Sequence, residues 1–289
     1  MSPPKSPPKS RPQKPLAAVM PAAPVVTPAI PAIKMADTTP QAPILCLYAV
    51  EGWGKTTLGA FAPKPLMICS ETETGYQTLA GNNMVPALPV AVCDSWAGTL
   101  GLLDQLLAAD PAPYQTIVFD ALGGFEELCF QHVTNYYFDG KRGDDGFMAY
   151  HKGYGLSVTD WLEFVSRIER LRQRGHIILL LSHVKSGKVN NMTVIDFDQF
   201  SGSLHPKLWE PTKRAADAVL FGNFLSIVEA KNPKATKGRG IGGTRRVLYS
   251  THTDGYDAKN RFGLPDIMEM PDKPEEMWAA LWGQIRKDV

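Results

Sequence analysis

Cysteine is sparse and scattered in this chain: Cys46, Cys69, Cys93 and Cys129 are the only four in 289 residues, and no two form a Cys-x-x-Cys pair. That spacing excludes a disulfide framework and a zinc ribbon, and it points to a reducing compartment, the cytoplasm. Long apolar runs are lacking too. The longest uninterrupted aliphatic stretch is the pentapeptide Ile177–Leu181, against the roughly 20 residues that a membrane-spanning helix needs. Neither sign of charge prevails, with 30 basic and 29 acidic residues. Bulk attraction to nucleic acid is thereby excluded, and any such contact has to come from a local patch or a tail. What the chain does have is 44% hydrophobic residues, enough at this length for a sizeable core in one large domain or two small ones.

The small net charge hides an uneven distribution. Residues 1–36 carry Lys5, Lys9, Arg11, Lys14 and Lys34 with no acid, and the rest of the chain holds 25 basic against 29 acidic side chains, a balance of −4. Eleven of the 24 prolines fall in the first 40 residues, beginning with the repeated Ser-Pro-Pro-Lys of Ser2–Lys5 and Ser6–Lys9. Proline at this density blocks helix and sheet alike, so residues 1–40 are expected to form a disordered, partly polyproline basic tail. Such an arm could touch phosphates or simply stay solvated. A signal peptide needs an unbroken apolar segment, and Pro21, Pro24, Pro28 and Pro31 interrupt it. Met35 offers an alternative start.

From Pro43 the texture changes to aliphatic runs alternating with helical patterns. Strands are expected at Ile44–Val50, Leu66–Cys69, Ala87–Cys93, Thr116–Phe119, Ile177–Leu181, Ala218–Val228 and Arg246–Ser250. Helices are expected from Lys55, over Trp96–Ala109, Leu122–Tyr136 and Val158–Arg174 (stopped by Gly175), and over Glu275–Ile285. Strands bounded by helices, each aliphatic enough to be covered on both faces, predict an α/β fold with a mostly parallel twisted sheet and helices on both sides. The core is expected over 41–270, with 271–289 as a C-terminal helix packed on it.

Ala49-Val-Glu-Gly-Trp-Gly-Lys55-Thr56 sits between an expected strand and an expected helix, and it fits the phosphate loop GxxxxGK[ST] except that Ala49 replaces the first glycine. Gly52 and Gly54 let the backbone curl round an anion and present N–H groups to it. Lys55 adds a charge toward the β- and γ-phosphates, and Thr56 offers a hydroxyl to Mg²⁺. The nucleotide-binding set is thus Ala49, Gly52, Trp53, Gly54, Lys55, Thr56 and Thr57, with ATP and Mg²⁺ as cofactors. Asp120, at the end of Thr116–Phe119, is the natural second metal residue with Thr56, unless it merely caps the next helix. Ala121 follows it where many motor ATPases place a water-activating glutamate, so the base has to lie elsewhere. Glu71 and Glu73, just past Leu66–Cys69, are candidates because strand C-termini line the ligand crevice; Glu71 is preferred as catalytic base over a solvent-facing reading. Ser182 and His183 end the strand Ile177–Leu181 in the same way, and His183 is a candidate γ-phosphate contact or a structural histidine.

In this order the pieces resemble the RecA-like P-loop ATPases, and among them the phage-type proteins of single-strand annealing and recombination. The resemblance spans about 42–270. It rests on Lys55 with Glu71 one strand later, Asp120 without a following acid, His183 where relatives carry a polar residue, and Ala258-Lys-Asn-Arg-Phe-Gly-Leu-Pro265, which is similar to a basic segment that reaches the neighbouring subunit's nucleotide. It implies that Lys259 and Arg261 act in trans across a filament or ring of identical subunits; without it they read as solvated cations on a turn. It also places His151–Gly155 and Val184–Pro211 where relatives contact DNA. The second segment is expected to be a long loop, with Lys185, Lys188, Phe197, Phe200, His205 and Lys207 interleaving cations and rings, diluted by Asp196 and Asp198. A lid would look similar.

The leading expectation is a DNA-stimulated ATPase that binds single-stranded DNA, assembles as a homo-oligomer, acts in annealing or strand pairing with a single-strand-binding protein as a further partner, and works in the bacterial cytoplasm if phage-encoded. Two alternatives stand beside it: a DNA-independent P-loop NTPase or kinase acting on a small molecule, and a nucleotide-switched binding module with negligible turnover.

Overall fold

The computed structural model describes residues 35–110, 112–189, 197–229 and 239–286. The proline-rich tail up to residue 34 lies outside them, as do Asp196 and the side chain of Phe197.

Among the described residues ten strands and seven α-helices follow one another. They are β1 (Ile44–Ala49), α1 (Lys55–Ala60), β2 (Pro65–Ser70), α2 (Gly75–Gly81), β3 (Val90–Cys93), α3 (Trp96–Ala108), β4 (Thr116–Phe119), α4 (Leu122–Phe138), α5 (Lys152–Gln173), β5 (Ile177–Val189), β6 (Phe197–Gly202), α6 (Pro206–Ala215), β7 (Ala218–Glu229), β8 (Arg239–Tyr249), β9 (Lys259–Asn260), β10 (Ile267–Glu269) and α7 (Pro274–Ile285). The sheet runs β10-β8-β7-β1-β5-β4-β2-β3, parallel from β7 through β3, with antiparallel pairs at β7–β8, β8–β10, β7–β9 and β5–β6. This is the mostly parallel α/β architecture that the aliphatic runs predict.

Every residue of β1 is buried because it faces a helical layer on either side. Side chains alternate across a strand. Ile44, Cys46 and Tyr48 accordingly enter a core shared with α3, α4, α5 and α6, whereas Leu45, Leu47 and Ala49 enter a second core shared with α1 and α7. Helix ends follow local chemistry. The Ser95 hydroxyl caps α3 by accepting from the Gly98 N–H at 3.2 Å, and Gly175, at φ +92°, turns the chain after α5 in a conformation costly for other residues.

One expectation needs correction. Val184–Pro211 is not a long loop: β5 continues from Ile177 to Val189, pairs antiparallel with β6 from Val184↔Gly202 to Val189↔Phe197, and α6 follows from Pro206. Val184-Lys-Ser-Gly-Lys-Val189 shows no apolar alternation, and pairing rather than burial makes it a strand. Similarly, α5 starts at Lys152, absorbing the His151–Gly155 segment except for His151, which belongs to a short 3-10 turn at Ala149–His151. Among the described residues no helix is long and apolar enough to cross a membrane.

Candidate nucleotide site

Strand order builds the site. β1 lies between β5 and β7, and β5 separates it from β4. The C-terminal end of β1, the middle of β5 and the C-terminal ends of β4 and β2 therefore deliver, in that order, the phosphate loop, Ser182 and His183, Asp120, and the 71–74 turn to one edge of the parallel sheet. Register supports this, since Ala49 pairs with His183 and Tyr48 with Ser182. Open parallel sheets bind ligands at such an edge.

The phosphate loop is held from beneath. The Val50 N–H donates to the Gly222 carbonyl at 3.1 Å, and the Trp53 N–H donates to the Val50 carbonyl at 3.3 Å. Trp53 is 0% exposed and its indole N–H donates to the Val247 carbonyl at 3.1 Å. Its ring is thus a wedge in the core, leaving only its main chain to serve a ligand. Gly52 and Gly54, at φ +72° and +106°, take the left-handed conformations the curl requires. The alanine at the loop's first position is also explained. A Cβ at Gly222 on the adjacent strand would lie 2.7 Å from the Ala49 Cβ and 2.8 Å from the Trp53 ring. The room that glycine usually provides in the loop is here provided by glycine on β7.

The Lys55 ammonium is buried and donates to the carbonyls of Ala49 at 3.0 Å and Val50 at 3.5 Å. Burial pushes its pKa below the usual lysine value, against the upward pull of Asp120, Glu51 and Glu73. Beside it, the Thr56 hydroxyl donates to the Asp120 carboxylate at 2.6 Å. Burial raises the Asp120 pKa, and the bond from Thr56 opposes that rise. A hydroxyl and a carboxylate side by side are hard oxygen donors that suit Mg²⁺, which takes one or two protein ligands and fills the rest of its shell with water and phosphate oxygens. No cluster of three or more His, Cys, Asp or Glu able to hold an ion by themselves occurs among the described residues, so Thr56 and Asp120 would hold Mg²⁺ only together with a nucleotide. Thr57 follows in α1, half-buried. Because α1 has only six residues, the loop amides and Lys55, rather than a long helix dipole, are the anion-binding groups.

The two glutamates separate. Glu71 is exposed, and among the described residues its carboxylate has no ion-pair or hydrogen-bond partner. Glu73 is half-buried, turned back by its own N–H donating to the Ser70 carbonyl at 3.0 Å, and its carboxylate is 3.6 Å from His183 Nε2. It acts electrostatically on both Lys55 and Asp120. Close approach of α4 makes this turn possible, since a Cβ at Gly124 would meet the Ser70 hydroxyl at 2.0 Å. The structure thus brings Lys55, Thr56, Asp120, Glu73 and His183 together and leaves Glu71 at their margin.

Lys259 and Arg261 are not near this group in the same chain. β9 pairs Asn260 with Ala218 and Lys259 with Val219 at the start of β7, the opposite end of the sheet from the phosphate loop. The Lys259 ammonium donates to the carbonyls of Lys213, Arg214 and Ala216, closing the C-terminus of α6, and Arg261 pairs with Asp217 at 3.1 Å. A residue not singled out by sequence is Arg246 on β8, whose Nε–H donates to the Trp53 carbonyl at 2.8 Å.

Behind the site, Ser182 and Ser203 hydroxyls lie 3.4 Å apart, joining β5 to the start of the α6 segment. There the Glu126 carboxylate accepts from the His205 N–H at 2.6 Å, the Lys185 ammonium donates to the Leu204 carbonyl, and burial lifts the Glu126 pKa to about 7. The His205 ring stacks on Tyr154 with centroids 4.2 Å apart.

Compared with known protein families, residues 41–262 match the one described as AAA domain. The chain belongs to this family. Comparison with curated proteins gives no match. An AAA domain is a P-loop nucleotide-binding and nucleotide-hydrolysing module, and the match runs from the residues before β1 through the Lys259–Arg261 segment.

Proposed function

We propose that this AAA domain is an ATP- and Mg²⁺-dependent RecA-like ATPase that binds single-stranded DNA, assembles with further copies of itself and promotes annealing or strand pairing. The nucleotide part rests on one observation, the convergence of Lys55, Thr56–Asp120 at 2.6 Å, and Glu73–His183 at 3.6 Å on four neighbouring strands or the turns that follow them. When bound, Mg²⁺ would neutralise charge on the phosphates and orient them. Lys55 and the loop amides hold the β- and γ-phosphate oxygens. Glu73 takes the proton of the attacking water, the role first expected of Glu71, because its carboxylate is the one facing Lys55 and Asp120. His183 contacts both Glu73 and, through the β5 backbone, the β5–β6 hairpin, so it is placed to report the γ-phosphate to that hairpin.

The DNA part is supported by surface chemistry. α4 and α5 run antiparallel, with Phe125 against Phe164 near the sheet and Phe130 against Tyr154 farther out. Their junction carries Tyr150, 92% exposed, with the Lys152 ammonium 6.0 Å from its ring, and exposed Tyr136 and Tyr137. Exposed rings beside cations suit bases and phosphates of a single strand. The β5–β6 hairpin adds Lys185, Lys188 and exposed Phe200, and the Tyr154–His205 stack ties the two elements together. For assembly, Arg261 is the proposed trans-acting cation, since it is the more exposed and its single carboxylate partner can be exchanged; Lys259, with three carbonyl acceptors, keeps its capping role.

The test is phosphate release with and without oligodeoxythymidine at several salt concentrations. Stimulation by DNA that declines steeply with salt is expected, and Tyr150→Ala should weaken oligonucleotide binding by about 1–2 kcal/mol while leaving DNA-independent turnover unchanged. Turnover indifferent to DNA under all conditions would leave a small-molecule NTPase as the better reading.

A further inference from the structure

Arg246 reaches the phosphate loop from outside it. Its strand, β8, pairs antiparallel with β7, placing Arg246 opposite Phe224, and its carbonyl accepts from the Met270 N–H at 2.9 Å. The guanidinium lies 5.8 Å from the Phe224 ring, and Nε–H donates to the Trp53 carbonyl at 2.8 Å. Among the described residues it has no carboxylate partner, so that carbonyl is its one hydrogen-bonded contact. Its neighbour Arg245, by contrast, pairs with Glu269.

The peptide unit makes this contact consequential. Trp53–Gly54 is a trans peptide, and in a trans peptide C=O and N–H point in opposite directions in one plane. Fixing the Trp53 carbonyl toward β8 therefore aims the Gly54 N–H away from β8, and none of the described residues accepts from it. Gly54, at φ +106°, has no side chain to resist rotation of that plane. A charged donor on the carbonyl also polarises the amide and strengthens its N–H as a donor.

We infer that Arg246 is a positioning residue of the nucleotide site: by holding the Trp53 carbonyl it locks the 53–54 peptide with its amide facing the phosphates. The inference rests on the nucleotide reading of the loop. It assigns to the antiparallel edge of the sheet a part in an anion site otherwise built by the parallel strands.

Equilibrium binding of a fluorescent N-methylanthraniloyl-ADP in Mg²⁺ to the full chain tests it. Arg246→Ala is expected to raise Kd about tenfold, the worth of one preorganised charge-assisted contact. Arg246→Lys, which keeps a cation able to reach the same carbonyl, should stay within about threefold of the unmodified protein, and both variants should melt without nucleotide within about 2 °C of it. Binding by Arg246→Ala within twofold of the unmodified protein overturns the inference. So does a loss matched by a large drop in the nucleotide-free melting temperature and not recovered by lysine, since that marks a merely structural arginine. Lys55→Ala separates the two levels: if it binds ADP undiminished, the nucleotide reading itself fails; if it loses ADP while Arg246→Ala does not, only the role of Arg246 fails.

Discussion

Strands β1, β2 and β4 stop at the candidate site after six, six and four residues. Strands β5 and β7, which flank β1 in the same sheet, are 13 and 12 residues long, continue past it and turn into antiparallel pairing with β6 and β8. The short strands are wholly buried and deliver Lys55, Glu73 and Asp120 to a common edge. The long ones extend beyond that edge and support the site from behind, through Ser182–Ser203, Gly222 and Arg246. Chemistry and its support thus come from different strand types. A short strand can end on a reactive residue, while a long one must first satisfy its backbone beyond the sheet.

The largest expected effect lies on the short-strand side and decides between two neighbouring acids. Glu73→Gln should lower kcat for nucleotide hydrolysis about a hundredfold, the usual scale for losing a general base, whereas Glu71→Gln should change it less than about threefold. Equal losses would show that the 71–74 turn rearranges during turnover. Next comes the long-strand support. Gly222→Ala forces a Cβ to within 2.7 Å of Ala49 and 2.8 Å of the Trp53 ring, and should cost about 1–3 kcal/mol in denaturant unfolding. Replacing Ala49 by glycine in the same protein should recover part of that loss, because one of the two clashing methyls is gone.

The smallest effect concerns Glu126, at the root of the β5–β6 hairpin. Its pKa rises on folding from 4.5 to about 7 because burial penalises the carboxylate. The folded state therefore holds a proton that the unfolded chain has released. Stability from this group is complete below about pH 4.5 and is lost as pH climbs to about 7. Glu126→Gln, which still accepts from the His205 N–H, should flatten that decline and add about 1–2 kcal/mol at pH 8, read from urea midpoints across the range. An unchanged slope would mean that Lys185 neutralises the carboxylate in place.

The same division separates what the sequence discloses from what it conceals. Ile44–Ala49 and Thr116–Phe119 are largely apolar runs followed by a glycine-bearing loop or an acid, so strand, turn and chemistry can all be read from residue type. Val184–Val189 and Arg239–Arg246 carry glycine, lysine, serine and arginine without alternation, and only pairing with a neighbour makes them strands. Glu71 and Glu73 are indistinguishable as types; the Glu73 N–H to Ser70 carbonyl bond, a property of the turn, decides which side chain faces Lys55. Lys259 and Arg261 look like free cations in sequence, yet their place is set by β9 pairing with the start of β7. Arg246 gave no signal, since an arginine beside an arginine in a mixed strand resembles any exposed position until its carbonyl partner is known.

The exchange of small residues between positions 49 and 222 bears on how kindred chains would be detected. A pattern that demands glycine at the head of the loop passes over sequences built this way. Pairing alanine there with glycine some 170 positions downstream gives a two-site signature, and a lineage that altered either partner alone would be expected to register the mismatch first in the seating of the intervening tryptophan.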